Sequence, residues 1–414
     1  MKPTWSLIQL CFVLHLFTIS WSGVLRFGDW FPLPFVFLIL TLGACCYTGV
    51  SDVFSERVKN ILIHHYDIFL VGAILLMTFL VLVVPTSKSG NYLMAYYAVF
   101  ASFIGFSIFG TVRVDLDTIL RFSFYGVNFI CVFLVVEVIG KSFLGFDVFE
   151  FIPRTKDATA SIAGLIFRGY GLSTEPTQVA NYFVCFMPMA LLYKSRTGGV
   201  TSLFYPVFIF VCAALSFSAG FFLTLLAGMC FYILISRQRL FSSIRSFWLV
   251  LLLVTLVVFS IRLGGGESAD IIDTVFEYLI SKITLSGGTS VGVRMLAVEM
   301  AFQELVESPF LGLGLGAWSA RGQDSPMNWY LMIATESGIF VLFLFLLWLG
   351  SQLLDAVLTY RKTGNATFLA CSVSIFCGIA YFVFLSTFQN MFLLTSLLIF
   401  RIAKYDYKNR KRSL

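Results

Sequence analysis

The sequence predicts an all-α fold, a polytopic transmembrane helical bundle with about twelve spans. Hydrophobic residues make up 59% of the chain and charged residues only 12%, whereas soluble domains average about 45–50% apolar and about 25% charged residues. The apolar stretches are also far too long for barrel strands. This composition excludes a disordered chain, a disulfide-stapled secreted scaffold and a nucleic-acid-binding protein with an extended basic face. We expect a single integral membrane domain over residues 1–414.

The predicted spans are apolar stretches long enough to cross a bilayer, which takes about 20 helical residues. In chain order they cover residues 5–22, 30–48, 67–84, 91–110, 119–139, 176–193, 201–216, 219–235, 245–262, 329–349, 366–385 and 388–402. All nine cysteines fall in or beside these stretches, so neither a disulfide nor a metal site is expected.

Lys and Arg residues predict the orientation of the bundle, because cytoplasmic loops are enriched in them. With the N-terminus inside, 18 of the 28 basic residues fall in inside segments and 10 in outside segments. Both termini are therefore predicted to be cytoplasmic. The basic tail 404–412 is interpreted as an anchor at the anionic inner leaflet.

Two long external loops, residues 140–175 and 263–328, are predicted to carry the function, since long loops in a compact protein are usually functional. The second contains two amphipathic stretches, residues 268–282 and about 290–307, and Pro309 with the glycines that follow ends the latter. These helices are expected to lie along the membrane interface or to fold over the bundle as a lid.

The first loop leads into a span through a segment with an arginine and an acid. Thr174 is the predicted N-cap, and Glu175-Pro176 the first turn. Glu175 either complements the helix dipole or takes part in catalysis. Arg168 either snorkels at the interface or, because a glycine stands on each side of Tyr170, belongs to a backbone that approaches its neighbours closely.

Four motifs resemble, in their order, the Wzy-type O-antigen polymerase and O-antigen ligase superfamily, with the strongest similarity over residues 160–350. They are Arg168-Gly-Tyr-Gly-x-x-x-Glu175-Pro176, Arg294 in an amphipathic helix, Glu307-Ser-Pro-Phe-Leu-Gly-Leu-Gly-Leu-Gly316, and Asn328-Trp-Tyr-Leu-x-x-x-x-Glu336-x-Gly338. The resemblance implies inverting glycosyl transfer at the periplasmic face of the bacterial inner membrane. It also implies undecaprenyl-diphosphate-linked oligosaccharides as donor and acceptor, and no cofactor or nucleic acid. A chain-length regulator is a usual partner of such proteins.

The resemblance assigns Arg168 and Arg294 to the external arginines that hold the leaving diphosphate, a role suited to bidentate guanidinium groups. Arg321 and Lys282 are expected either to help in substrate binding or to be merely solvated. Asn328 and Tyr330 are expected to bond sugar hydroxyls or, with Trp329, to form an interfacial belt.

The base that accepts the proton of the attacking hydroxyl is expected to be a carboxylate. Ligases of the superfamily have a histidine just before the asparagine of the last motif, whereas this chain has Met327 before Asn328. Glu175 is the first candidate, ahead of Asp324 and Glu336.

The sequence therefore favours an O-antigen polymerase. A ligase that transfers the glycan to lipid A core is the nearest alternative, and a lipid-linked oligosaccharide flippase is the alternative from another class. The predicted span interiors are almost free of charge, and no repeat relates the two halves, which counts against a carrier.

Overall fold

The computed structural model describes residues 6–22, 26–27, 31–54, 64–111, 113–147, 161–162, 166–199, 201–236, 289–323, 325–385 and 391–413. Within these ranges the regular structure is helical, apart from two antiparallel pairs of two-residue strands. The pairs are β1 (Arg26–Phe27) with β2 (Phe31–Pro32), and β3 (Ser161–Ile162) with β4 (Ile166–Phe167).

The helices follow the apolar stretches of the sequence. In chain order they are α1 (Leu7–Thr18), α2 (Leu33–Phe54), α3 (Asp67–Val83), α4 (Ser89–Gly105), α5 (Leu116–Ile139), α6 (Pro176–Thr197), α7 (Thr201–Ala214), α8 (Ala219–Ile235), α9 (Thr289–Glu307), α10 (Ala317–Ala320), α11 (Trp329–Thr363), α12 (Ala366–Tyr381) and α13 (Phe392–Ser413). A π-helical turn extends α4 over Phe106–Gly110, and another extends α5 over Gly140–Leu144.

Among the described residues, four helical stretches are long and apolar enough to cross a membrane. They are Ser89–Gly110, Leu116–Leu144, Trp329–Thr363 and Ala366–Phe384, and shorter apolar helices accompany them. A helix stands at each predicted span except residues 245–262, which lie outside the described residues. The chain is therefore a helical integral membrane protein, while the count of twelve spans stays a prediction.

Several helices begin or end at one end of the bundle, near Ser20, Thr177, Tyr330 and Tyr381, which we call the loop end. There Ser173, just before α6, donates a hydrogen bond to the carbonyl of Ser20, just after α1 (2.7 Å). Tyr381 at the end of α12 donates to the carbonyl of Thr177 in the first turn of α6 (2.8 Å). Tyr330 in the first turn of α11 donates to the carbonyl of Ile379 in α12 (2.7 Å). The loop end thus joins the starts of α6 and α11 to the ends of α1 and α12.

The opposite end of the bundle holds a buried ion pair between residues at the edges of two predicted spans. Arg401 in α13 is 1% exposed and donates two hydrogen bonds to the Asp67 carboxylate in α3, at 2.6 and 2.9 Å. The indole of Trp348 in α11 donates to the same carboxylate (3.2 Å). In the sequence Asp67 and Arg401 sit at the edges of predicted spans, and the packing of α3, α11 and α13 turns them inward.

Candidate active site at the loop end of the bundle

The Arg168 segment is held by a carboxylate that projects from the end of α5. Glu137 is 2% exposed, and its Oε2 atom accepts hydrogen bonds from the backbone N–H groups of Tyr170 (3.1 Å) and Gly171 (2.7 Å). Hydrogen bonds to an ionised acceptor are stronger than neutral ones, so two of them on one oxygen offset much of the cost of burying a carboxylate. Glu137 lies outside the sequence motifs that indicated the site. The signal available there was a carboxylate near the end of an otherwise apolar span.

Close backbone approach explains the glycine on each side of Tyr170. A Cβ on Gly169 would lie 2.6 Å from Cδ2 of Leu134 in α5. Gly171 has φ +56°, and a Cβ there would lie 2.9 Å from a methyl group of Val179 in α6. Of the two sequence interpretations of this segment, the geometry therefore supports a backbone wedged between helices.

The side chain of Arg168 is half-buried and leans on the turn between α7 and α8. Its Nε donates a hydrogen bond to the carbonyl of Ser216 (3.2 Å), and the N–H of the following Gly169 donates to the carbonyl of Leu215 (2.9 Å). A guanidinium group has five N–H donors, so this contact leaves its terminal nitrogens for an anion.

The start of α6 differs from the prediction, because Glu175 and not Thr174 occupies the N-cap position. Pro176 is the first helical residue, which makes the residue directly before it the cap. The hydroxyl of Thr174 instead donates to the side-chain carbonyl of Gln178 (2.7 Å), which also accepts from Ser22 (2.5 Å). These contacts bind the start of α6 to the chain that follows α1.

The Glu175 carboxylate makes no capping hydrogen bond to the helix backbone. It is half-buried, and its Oε2 accepts from the hydroxyl of Thr177 (3.1 Å). An acid at this position lies in the positive potential of the helix N-terminus. The carboxylate is partly exposed and therefore accessible to a substrate hydroxyl, as a proton acceptor must be.

Two candidate sugar-binding residues open α11, and both have structural bonds. The side-chain oxygen of Asn328 accepts from the N–H of Leu331 (3.1 Å) as the N-cap, a bond that does not use its amide nitrogen. The hydroxyl of Tyr330 donates a hydrogen bond to the backbone carbonyl of Ile379, so its oxygen has only acceptor capacity for a further partner. Neither bond had a signal in the sequence beyond the position of Asn328 before an apolar run.

The glycine-rich segment before α10 pairs with a break in α11. Gly338 has φ +78° and ψ 166° inside the helix, and a Cβ there would overlap the carbonyl oxygen of Phe310. The broken turn releases backbone groups that the segment satisfies. The N–H group of Leu313 donates to the backbone carbonyl of Thr335 (2.8 Å), and that of Gly314 donates to the backbone carbonyl of Glu336 (3.0 Å). In the other direction, the N–H group of Ile339 donates to the backbone carbonyl of Pro309 (2.9 Å). The fourth sequence motif and the glycine motif thus form one structural unit.

Glu336 supports this unit from inside. Its side chain is 2% exposed, and the backbone N–H groups of Gly316 and Trp318 face its carboxylate. Trp318 in α10 in turn donates its indole N–H to the hydroxyl of Thr335 (3.1 Å). A carboxylate buried to this degree is poorly placed to meet a substrate hydroxyl, which favours Glu175 over Glu336 as the base.

Arg321 follows α10 and reaches back to α9. Its side chain is 43% exposed, and Nη1 lies 2.6 Å from Oε1 of Glu304. The backbone of Arg294 lies in the first turns of α9, ten residues before Glu304 and thus about 15 Å along the helix axis. Its side chain is outside the described part of the chain, as are Lys282 and Asp324. Among the described residues, no three His, Cys, Asp or Glu side chains form a group that would hold a metal ion.

Comparison with known proteins gives a match to a family model, Wzy_C, described as O-antigen ligase, over residues 204–346 of the 414. The matched region runs from α7 into α11, so it contains α9, the glycine-rich segment and the break at Gly338, while Arg168 and Glu175 precede it. None of the curated proteins compared matches the chain. The match is consistent with the O-antigen polymerase/ligase superfamily, whose members are enzymes of the glycosyl-transfer type that act on lipid-linked glycans in the membrane.

Proposed function

We propose that this membrane protein is a polysaccharide polymerase of the bacterial inner membrane, with both termini in the cytoplasm and the loop end at the periplasmic face. It moves a growing glycan from its undecaprenyl diphosphate onto the non-reducing end of an incoming lipid-linked repeat unit. The family match supports glycosyl transfer with lipid-linked glycans. The polymerase assignment is the finer step and rests on which side chains are available as the base.

The observation that carries this step concerns the three histidines of the chain, all of which are described. His15 is fully buried in α1, and its ring nitrogens contact the Pro34 carbonyl (2.9 Å) and the Thr395 hydroxyl (3.0 Å). His64 and His65 precede α3, beside the buried Asp67 at the end opposite the loop end. No histidine is therefore available as the base of a ligase-type reaction, and the loop end offers carboxylates instead.

The proposed reaction is a single inverting displacement at the anomeric carbon of the donor. The acceptor hydroxyl oxygen forms the new bond to this carbon while its proton passes to the Glu175 carboxylate. The bond between the carbon and the diphosphate oxygen breaks, and its electron pair leaves with the diphosphate. Arg168 and Arg294 hold the departing diphosphate through charge-assisted hydrogen bonds, which strengthen as negative charge develops.

The remaining candidates bind the glycan and the lipid diphosphate around this centre. We assign Arg321 and Lys282 to the anionic part of the substrate, and Asn328 and Tyr330 to sugar hydroxyls. The amide nitrogen of Asn328 donates and the hydroxyl oxygen of Tyr330 accepts, in keeping with the structural bonds that each already makes. A chain-length regulator is the proposed protein partner.

The test is the surface polysaccharide of a strain from which the gene is deleted. A polymerase predicts that the ladder of long glycans disappears while a single repeat unit remains attached. Arg168→Ala and Arg294→Ala should fail to restore the ladder although the proteins accumulate in the membrane, because removing a transition-state donor costs roughly 10²–10³ in rate. Arg410→Ala, which removes an exposed arginine at the far end of α13, is the matched control and should restore it.

A ligase remains the second candidate, because the matched family model is described by that activity. It predicts a different gel, since loss of the final transfer removes every repeat unit from the surface and leaves long glycans on the lipid carrier. That pattern, or wild-type ladders from both arginine variants, would overturn the proposal.

A further inference from the structure

We infer that Glu137 is a positioning residue of the transfer reaction. Its carboxylate holds the backbone of the Arg168 segment in place by accepting hydrogen bonds from it. This inference rests on the proposed function for its readout, but its structural basis is independent of the choice between polymerase and ligase. It begins with the position of the carboxylate, 2% exposed near the end of a helix that is apolar enough to span a membrane.

A buried carboxylate in such a helix is costly, so its retention calls for a specific partner. Here the partners are two successive backbone N–H groups, those of Tyr170 and Gly171, which converge on the single atom Oε2 of Glu137. Neither N–H group belongs to a helix or a strand that would otherwise satisfy it. An apolar side chain at position 137 would remove the acceptor that these two buried donors share, which destabilises this backbone conformation.

The bonds from Glu137 belong to a set that fixes the whole segment. Phe167 N–H donates to the hydroxyl of Ser142 (3.0 Å), in the π-helical turn after α5, and Gly169 N–H donates to Leu215 (2.9 Å). Together with Tyr170 and Gly171, four of the five N–H groups from 167 to 171 are bound to α5, its extension or the turn after α7. Of these anchors, Glu137 is the charged one and the one that holds two donors.

The consequence for Arg168 is one of geometry. Tyr170 lies two residues beyond Arg168, at most about 7 Å along the chain. Loss of the Glu137 acceptor would therefore let the backbone that carries the Arg168 side chain move. Arg168 itself contacts the Ser216 carbonyl through Nε, a bond that orients its terminal nitrogens only if the backbone stays in place. A displacement of about 1 Å in a group that meets the transition state costs up to roughly 10²-fold in rate.

The experiment compares Glu137→Leu with Glu137→Gln, because glutamine keeps an oxygen acceptor of nearly the same shape and lacks the charge. The initial rate of the first glycosyl transfer is measured with purified full-length protein over a range of lipid-linked repeat-unit concentrations. Glu137→Leu should lower kcat at least about 10-fold with a KM close to that of the wild type, since Arg168 acts on the diphosphate as it leaves. Glu137→Gln should recover most of the lost kcat.

Controls separate positioning from folding and from general charge effects. Glu299→Gln removes an exposed carboxylate from α9 and should leave kcat unchanged. The amount of each variant in the membrane and its melting temperature are measured in parallel. The inference is overturned if Glu137→Leu keeps the wild-type kcat, if glutamine fails to rescue, or if the loss of rate only follows a loss of folded protein. Failure of the polymerase assignment would give a different result, transfer of the glycan to lipid A core in place of chain extension. In that case the kcat values of the same variants are compared for the transfer to lipid A core.

Discussion

Arg401→Met tests whether the buried pair at the opposite end holds the bundle together. The arginine donates two charge-assisted hydrogen bonds to Asp67 and also bonds the side chains of Gln352 and Ser107. Two such bonds at about 1.5–3 kcal/mol each agree with the roughly 3–5 kcal/mol that breaking a buried ion pair costs. The loss is large because Asp67 would stay buried with only the indole of Trp348 as a donor among these contacts.

This free energy converts to a melting temperature through the entropy of unfolding. At about 2.1 cal/mol/K per residue, a chain of 414 residues gives roughly 0.9 kcal/mol/K, so Arg401→Met should melt about 3–6 °C below the wild type. The assay is tryptophan fluorescence of the purified protein in detergent during heating. Replacing both partners, Arg401→Met with Asp67→Leu, should recover most of the loss, since an apolar pair leaves no buried charge. An unchanged melting temperature in the single variant, or a double variant less stable than Arg401→Met, would refute the reasoning.

Three further predictions concern other parts of the chain. Gly338→Ala should abolish chain growth and destabilise the protein, because the break in α11 has no room for a Cβ. Gly350→Ala in the same helix is the control, since its Cβ meets open space, and it should raise stability by about 0.5–1 kcal/mol. Polysaccharide ladders and melting temperatures measure both variants. Burial lowers the pKa of His64 from 6.5 to about 4, so the folded state resists its protonation. The wild type should therefore lose stability relative to His64→Gln as pH falls from about 6.5 to about 4. Parallel pH dependences of the two melting temperatures would contradict this. Arg321→Ala should raise the KM for lipid-linked substrate more than Glu304→Gln does, because the latter breaks the ion pair but keeps the cation; equal effects would assign Arg321 a structural role only.

The helices were predictable because their signal is local. An apolar stretch of about 20 residues forms a helix in lipid, where every backbone group needs an internal partner, and the described helices follow those stretches closely. The extension of α11 to Thr363, beyond the predicted end near residue 349, had a local signal too, since Arg361, Lys362 and Gly364 are typical of a helix C-terminus. The N-cap at Glu175 was equally accessible, because Pro176 at the first helical position determines it.

The contacts between helices were not predictable from one sequence. Asp67 and Arg401 are separated by 334 positions, and each on its own is typical of a charge at the end of a span. The two bonds to Glu137 and the ion pair of Arg321 with Glu304 likewise depend on how helices pack. The sequence therefore indicates the residue types that the proposed chemistry needs, whereas the contacts that support them are visible only in the tertiary structure.

The most direct measurement is the reaction of the purified, full-length protein with one lipid-linked repeat unit that serves as both donor and acceptor. A polymerase predicts products with two, three and more repeat units still attached to the lipid carrier, formed with inversion at the anomeric carbon and lost in Arg168→Ala. The opposite result, in which repeat units never join and the glycan moves only when lipid A core is supplied, would contradict the proposed function.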